Sequence, residues 1–250
     1  MSSAGGEYRH EALGDLDSTN LECLERARQG DRGNLWITAN RQLKGRGRRG
    51  RGWVSEPGNL YASLLLIDVA PQEALASLPL AVGVAVYKAI SQVLPPGGNK
   101  ASIKWPNDIL VGGKKVAGIL LESEALPDGT QAVVIGCGVD VAHAPDEVMY
   151  PVTTLHAAGS AVSPDELFAR LFQAMQEELA RWDRGRGIAA VREAWLDAAE
   201  GIGGPITINL PDSTLSGTFR NIDASGCLVL VDDDNNIQTV AAGDVFFGRP

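Results

Sequence analysis

Residues 41–52, Arg-Gln-Leu-Lys-Gly-Arg-Gly-Arg-Arg-Gly-Arg-Gly, constrain this chain more than any other segment. They hold six basic residues (Arg41, Lys44, Arg46, Arg48, Arg49, Arg51), four glycines and no acid. Glycine tolerates φ > 0 and lets backbone approach a ligand closely. Guanidinium groups make permanent, bidentate contacts to carboxylate and phosphate. Leu35-Trp36-Ile37 and Leu60-Tyr61 flank the segment with strand-like apolar residues. The segment therefore reads as a loop between two strands, built to close over a small, highly charged anion.

The remaining sequence excludes several other uses of such a loop. The whole chain carries a net charge of −9, whereas duplex binding needs a broad basic surface. The run is internal, short and unrepeated, unlike a disordered RNA-binding tail. It also lacks the lysine followed by Ser or Thr that a phosphate-binding P-loop requires after its last glycine.

Length and composition set the scale. A chain of 250 residues with 44% apolar content suits one large domain, or a domain with a small added module. Met1 to Gly14 is polar and of mixed charge, without the apolar core of a signal peptide. No apolar run approaches a membrane span. Three scattered cysteines, Cys23, Cys137 and Cys227, form neither a disulfide framework nor a zinc site. A reducing cytoplasm is the simplest expectation.

Hydrophobic periodicity places the elements. Asp17-Ser18-Thr19-Asn20 predicts a helix start, followed by apolar Leu21, Leu24 and Ala27. Strands are expected at 35–39 and 60–69, with a buried helix over 73–94 closed by Pro95-Pro96-Gly97-Gly98. Further strands are expected at 102–105, 109–111, 116–122 and 132–136, with a hairpin turn at Gly112-Gly113. Ser163-Pro164-Asp165-Glu166 is a capping box with proline at the first helical position. The helix it opens places Leu167, Leu171, Met175, Leu179 and Trp182 at helical spacing, and a second helix runs to about Ala199. After a linker at 201–204 come five short strand signals within 206–247, which suggest a small barrel-like β module. The domain boundaries expected are 1–202 and 203–250.

Four further segments join the basic loop: Ser18-Thr19-Asn20, Lys104-Trp105-Pro106-Asn107-Asp108, Lys115-Val116-Ala117-Gly118-Ile119-Leu120, and Gly136-Cys137-Gly138-Val139-Asp140. Singly each has an ordinary reading: a helix cap, a core tryptophan, a solvated strand lysine. In this order, with Gln42-x-x-Gly45-Arg46-Gly47-Arg48-Arg49-Gly50-Arg51-x-Trp53, they resemble the biotin–protein ligases from Ser18 to about residue 140.

The resemblance implies an α+β catalytic domain with a mixed, mostly antiparallel sheet, then a small SH3-like β-barrel. It implies ATP-dependent ligation of biotin to a lysine of a biotin carboxyl carrier protein through biotinyl-5′-AMP, with magnesium accompanying ATP. Fewer than twenty residues precede Ser18. That is too few for the DNA-binding domain of larger members, so no nucleic-acid partner is expected, nor a membrane. Monomer and homodimer both stay open. By the same resemblance Arg48 and Lys115 act at the reacting junction. Ser18, Thr19, Asn20 and Gln42 bond the ureido ring, and Gly45, Arg46, Gly47 and Gly118 line the biotin pocket. Arg48, Arg49, Arg51, Trp53, Asn107, Asp108 and Asp140 face the nucleotide.

Two departures stand out. Asp140 occupies a position where the family usually has asparagine, and an ionised carboxylate cannot donate a hydrogen bond. Lys44 stands where a small residue is common. The competing function is lipoate or octanoate ligation or transfer on the same fold, which needs no ureido partners. A non-enzymatic anion-binding protein is the other alternative, distinguished by the absence of ATP–pyrophosphate exchange.

Overall fold

A computed structural model describes residues 7–145 and 150–248. The first six residues of the polar start lie outside the described residues. The chain folds as two compact units that interleave along the sequence. The first holds residues 1–69, 93–98 and 114–169, and the second holds 70–92, 99–113 and 170–250.

The elements begin with β1 (Arg9–Leu16), α1 (Thr19–Arg28), β2 (Leu35–Gln42) and β3 (Leu60–Ile67). Next come α2 (Gln72–Leu75), α3 (Leu78–Ser91), β4 (Ala101–Lys104) and β5 (Asp108–Val111). Then follow β6 (Lys114–Ala125), β7 (Gln131–Val139), α4 (Pro164–Trp182) and α5 (Ile188–Ala198). The chain closes with β8 (Pro205–Asn209), β9 (Thr214–Ile222), β10 (Leu228–Val231), β11 (Ile237–Val240) and β12 (Asp244–Phe247).

In the first unit the strand order is β1-β2-β3-β7-β6. β1 and β2 run parallel, and the other neighbours are antiparallel. The sheet is thus mixed and mostly antiparallel, as the resemblance implies. α1 lies on it and buries Cys23, Leu24 and Ala27 against Leu35, Ile37, Leu65 and Val134. β3 is buried along nearly its whole length, which explains its unbroken apolar run. β1 went unpredicted: as an outer strand of polar composition, RHEALGDL, it shows no apolar alternation. The capping box expected at α4 forms. Ser163 Oγ accepts from the Glu166 amide at 3.3 Å, and Glu166 Oε2 accepts from the Ser163 amide at 2.9 Å.

In the second unit the helix expected over 73–94 is two pieces, α2 and α3. Pro79 near the start of α3 has no N–H to continue a preceding helix, so the chain restarts there. α3 packs on α5, with Gly83 lying against the Trp195 ring. Trp105 is core, 2% exposed, and its indole N–H donates to Gly226 O at 2.9 Å. The five C-terminal strands all form, in the order β11-β10-β9-β8-β12. The four-residue strands β11 and β12 stand at opposite edges, with no pairing between them among the described residues. The module is an antiparallel five-stranded sheet, with no closed barrel detected among the described residues.

Candidate functional site

The basic loop leaves β2 at Gln42 and folds back on itself. The Trp53 amide donates to Gly45 O at 2.9 Å and the Gly47 amide to Arg51 O at 2.7 Å. Arg48–Gly50 form one tight turn, with Arg49 at φ 56° and Gly50 at φ 71°. Gly45 has no substitute: a Cβ there would lie 2.3 Å from Trp53 O. Cations along the loop meet carboxylates supplied from elsewhere. Arg41 lies 3.5 Å from Glu56, Lys44 2.8 Å from Asp17, and Arg46 2.7 Å from Glu122. Arg48, Arg49 and Arg51 stand at the tip, in and beside the tight turn. Lys44, the family departure, so has a partner at the base of the loop.

Ser18, Thr19 and Asn20 stand at the start of α1, each under 5% exposed. Ser18 is the N-cap by position, yet its side chain makes no capping bond. Thr19 instead donates to Gln42 Oε1, from its amide at 3.0 Å and its hydroxyl at 3.2 Å. Gln42 Nε2 donates to Ser55 Oγ at 3.1 Å. On the other side, Ser63 Oγ donates to Asn20 Oδ1 at 2.6 Å and lies 2.7 Å from Thr19 Oγ1, from whose hydroxyl it can accept. Asn20 Nδ2 reaches Leu120 O at 3.3 Å and Glu122 Oε2 at 2.8 Å. The sequence reading missed Ser55, Ser63 and Glu122. No local signal marks them, because Ser63 and Glu122 gain their places through strand pairing and Ser55 through the return of the chain after the basic loop.

Opposite residues on β6 and β7, Gly118 and Gly138, form a bare patch of sheet. Trp53 covers it: a Cβ would meet the indole at 2.9 Å from Gly118 and 2.7 Å from Gly138. Trp53 and Gly118, expected toward the nucleotide and the biotin pocket respectively, are thus in contact. Lys115 stands on β6 beside them, its Nζ 5.3 Å from the Trp53 ring centre and 5.1 Å from that of Tyr150. Asp140 follows β7 and is 3% exposed. Burial pushes its carboxyl up to about 7, and the positive charge of Lys115 works against that rise. Asn59 donates to Asp140 Oδ1 at 3.4 Å, while its own Oδ1 accepts from the amides of Val141, Ala142 and His143.

The first unit thereby brings together Ser18, Thr19, Asn20, Gln42, Gly45, Arg46, Gly47, Arg48, Arg49, Arg51, Trp53, Lys115, Gly118 and Asp140 on its own elements. Asn107 and Asp108 belong to the second unit, where Asp108 pairs with Lys104 across the β4–β5 turn. In the first unit burial pushes the Cys137 thiol up to about 12 and raises that of Cys23 as well, so neither is poised as a thiolate nucleophile. Among the described residues no three His, Cys, Asp or Glu gather as a metal cluster. None of the described helices is long and apolar enough to cross a membrane.

The chain is similar to known proteins along most of its length. The family model described as Biotin/lipoate A/B protein ligase family matches residues 15–140, and that of the biotin protein ligase C-terminal domain matches 201–248. The chain is 40% identical to a biotin–[acetyl-CoA-carboxylase] ligase of Paracoccus denitrificans, over 94% of this chain and 99% of the relative. It is 32% identical to the bifunctional ligase/repressor BirA of Bacillus subtilis, over 93% of this chain and 72% of that relative. Its fold is similar to that of a biotin protein ligase from Aquifex aeolicus solved with biotin and ATP. That match has a TM-score of 0.79 and 26% identity, covering 97% of this chain and 99% of the other.

Proposed function

The chain belongs to the biotin protein ligase family, and from that premise we infer the chemistry of its site. It is an ATP-dependent biotin–protein ligase. Biotin carboxylate attacks the α-phosphate of ATP, giving biotinyl-5′-AMP and pyrophosphate, and a lysine amine then attacks the mixed anhydride. The acceptor we propose is a biotin carboxyl carrier protein, as the name of the Paracoccus relative suggests.

The first step brings two anions together. Their repulsion is about 4 kcal/mol per charge pair at 4 Å and intermediate dielectric. Each 1.4 kcal/mol is about tenfold in rate. Cations held at the junction are therefore the main catalytic device, with positioning second. Lys115 and Arg48 take that role in this reading. Lys115 is fixed by strand β6 and by two aromatic faces, so it need not reorganise when the phosphate arrives. Arg48 sits in the tight turn at the loop tip, where Gly47 and Gly50 let backbone approach. No protein nucleophile is needed, because the substrate carboxylate supplies it.

Thr19, Gln42, Ser18 and Asn20 would meet the ureido ring, with the backbone of Gly45, Arg46 and Gly47 and the bare strand at Gly118 lining the pocket. Arg49, Arg51, Trp53, Asn107, Asp108 and Asp140 would serve the nucleotide. Magnesium enters as part of the ATP co-substrate, bound through the phosphates. We place the boundary between catalytic and C-terminal domains at residues 202 and 203, a division supported by the C-terminal match over 201–248.

The observation that carries biotin over lipoate is the buried polar chain at the start of α1. It runs from Ser55 through Gln42, Thr19, Ser63 and Asn20 to Glu122. A site lined by amides and hydroxyls rejects a ligand that cannot pair with them, because its own groups are left unsatisfied. A dithiolane ring offers no such partners. The test is ATP–pyrophosphate exchange with biotin, and with lipoate as control. Exchange with biotin alone is expected, and exchange supported equally by lipoate would sink this reading.

A further inference from the structure

Glu122 lies on β6, outside every segment that the family resemblance rests on, yet two of those segments end on it. Asn20 Nδ2 and Arg46 Nη2 converge on one oxygen, Oε2, at 2.8 and 2.7 Å. We propose that Glu122 is the positioning residue of the biotin-ring end of the site: it presets the polar chain at α1 and anchors the first residues of the basic loop before any ligand arrives. This rests on the biotin ligase reading and adds to it a residue and a role.

The argument is one of donor and acceptor order. An ionised carboxylate only accepts, so Asn20 must turn its NH2 toward Glu122. Its Oδ1 then faces the Ser63 hydroxyl, 2.6 Å away, and that hydroxyl also lies 2.7 Å from Thr19 Oγ1. With its one proton given to Asn20, Ser63 accepts from the Thr19 hydroxyl, and Gln42 Oε1 accepts from the Thr19 amide at 3.0 Å. One charge thereby sets the donor order from Asn20 through Ser63 to Thr19, beside the base of the loop. The Asn20 amide has little room to adopt another pose, because it lies against bare backbone: a Cβ on Gly136 would stand 2.2 Å from Asn20 Oδ1.

The second donor fixes the loop. Arg46 gives an Nη2 hydrogen to Glu122 at 2.7 Å, which ties this residue of the loop to β6. The Arg46–Gly52 bridge joins that anchored residue to the returning strand of the loop. Arg48, Arg49 and Arg51 lie beyond the anchor, at the tip. Glu122 therefore governs how well the ring end is formed, while Lys115 and Arg48 govern the reacting junction. A lesion at Glu122 raises the KM for biotin and spares kcat, the pattern of lost uniform binding.

The experiment compares Glu122→Ala and Glu122→Gln in biotin-dependent ATP–pyrophosphate exchange, with hydrogen exchange on the ligand-free proteins. Glu122→Ala should raise the biotin KM about tenfold or more, the scale of lost hydrogen bonds to a charged group, with kcat within about threefold of wild type. Glu122→Gln keeps one oxygen able to accept both donors and should fall between. Without ligand, residues 43–47 should exchange faster in Glu122→Ala and near the wild-type rate in Glu122→Gln. An unchanged KM, a loss borne by kcat instead, or unaltered exchange over 43–47 would overturn the assignment. If wild type itself shows no biotin-dependent activity, the ligase reading fails, and the ligand-free exchange still decides whether Glu122 is the anchor.

Discussion

Replacing Asp140 with asparagine should stabilise this protein at alkaline pH and leave its stability nearly unchanged in acid. The carboxyl is 3% exposed, and burial pushes it up to about 7 against the charge of Lys115. An unfolded aspartate titrates near 3.9. Below about pH 4 the group is protonated in both states, and folding carries no charge cost from it. Between about 4 and 7 the unfolded chain ionises first, so this residue's contribution to stability falls as pH rises. Above 7 the folded chain holds a buried carboxylate, and the cost is complete. At about 1.36 kcal/mol per tenfold change in proton affinity, that cost approaches 4 kcal/mol. Local relaxation and the contact from Asn59 reduce it, so we expect a gain of about 1–3 kcal/mol for Asp140→Asn at pH 8. The asparagine oxygen can still accept from Asn59, so the surrounding loop keeps its shape. Urea denaturation of both proteins at pH 5 and pH 8 measures the gap directly. An equal gap at the two pH values, or a less stable variant at pH 8, would refute the reasoning.

Other perturbations separate the roles assigned around the loop. Lys115→Ala should cost about 2–4 kcal/mol of transition-state stabilisation in adenylate formation while biotin titration changes little, because the cation acts chiefly when the phosphate arrives. Collapse of biotin affinity with turnover intact would show that role to be wrong. Arg48→Gly should weaken retention of the adenylate, which then acylates bystander lysines. Incubation with biotin, ATP and an unrelated lysine-rich protein tests this, and an unlabelled bystander beside continued adenylate synthesis rules out Arg48 as the latch. Hydrogen exchange over 41–52 should slow on adding biotin and ATP, most at the tip between Gly47 and Arg51, and equal protection with and without ligands would contradict closure.

Much of the fold was legible because its signals are local. The Ser163–Glu166 capping box, the buried run of β3 and the five C-terminal strands each depend on residues a few positions apart, and each forms as read. The same locality explains the misses. β1 has the composition of a loop and becomes a strand only because β2 offers a parallel edge. The helix over 73–94 divides where Pro79 interrupts the backbone ladder, a local signal that the apolar pattern outweighed.

The site divides along the same line. By itself the sequence determined which chemical groups are present: six cations among glycines, the Ser18-Thr19-Asn20 cap cluster, Lys115, and glycines at 118, 136 and 138. The tertiary structure decided what those groups face. Trp53 covers Gly118 and Gly138 because the β6–β7 hairpin sets the two glycines opposite each other and folding brings the end of the basic loop over them. Arg41, Lys44 and Arg46 meet Glu56, Asp17 and Glu122, the last standing 76 residues from its partner Arg46. A charge is written in the sequence, but its field depends on distance and solvent exposure, and only folding sets those.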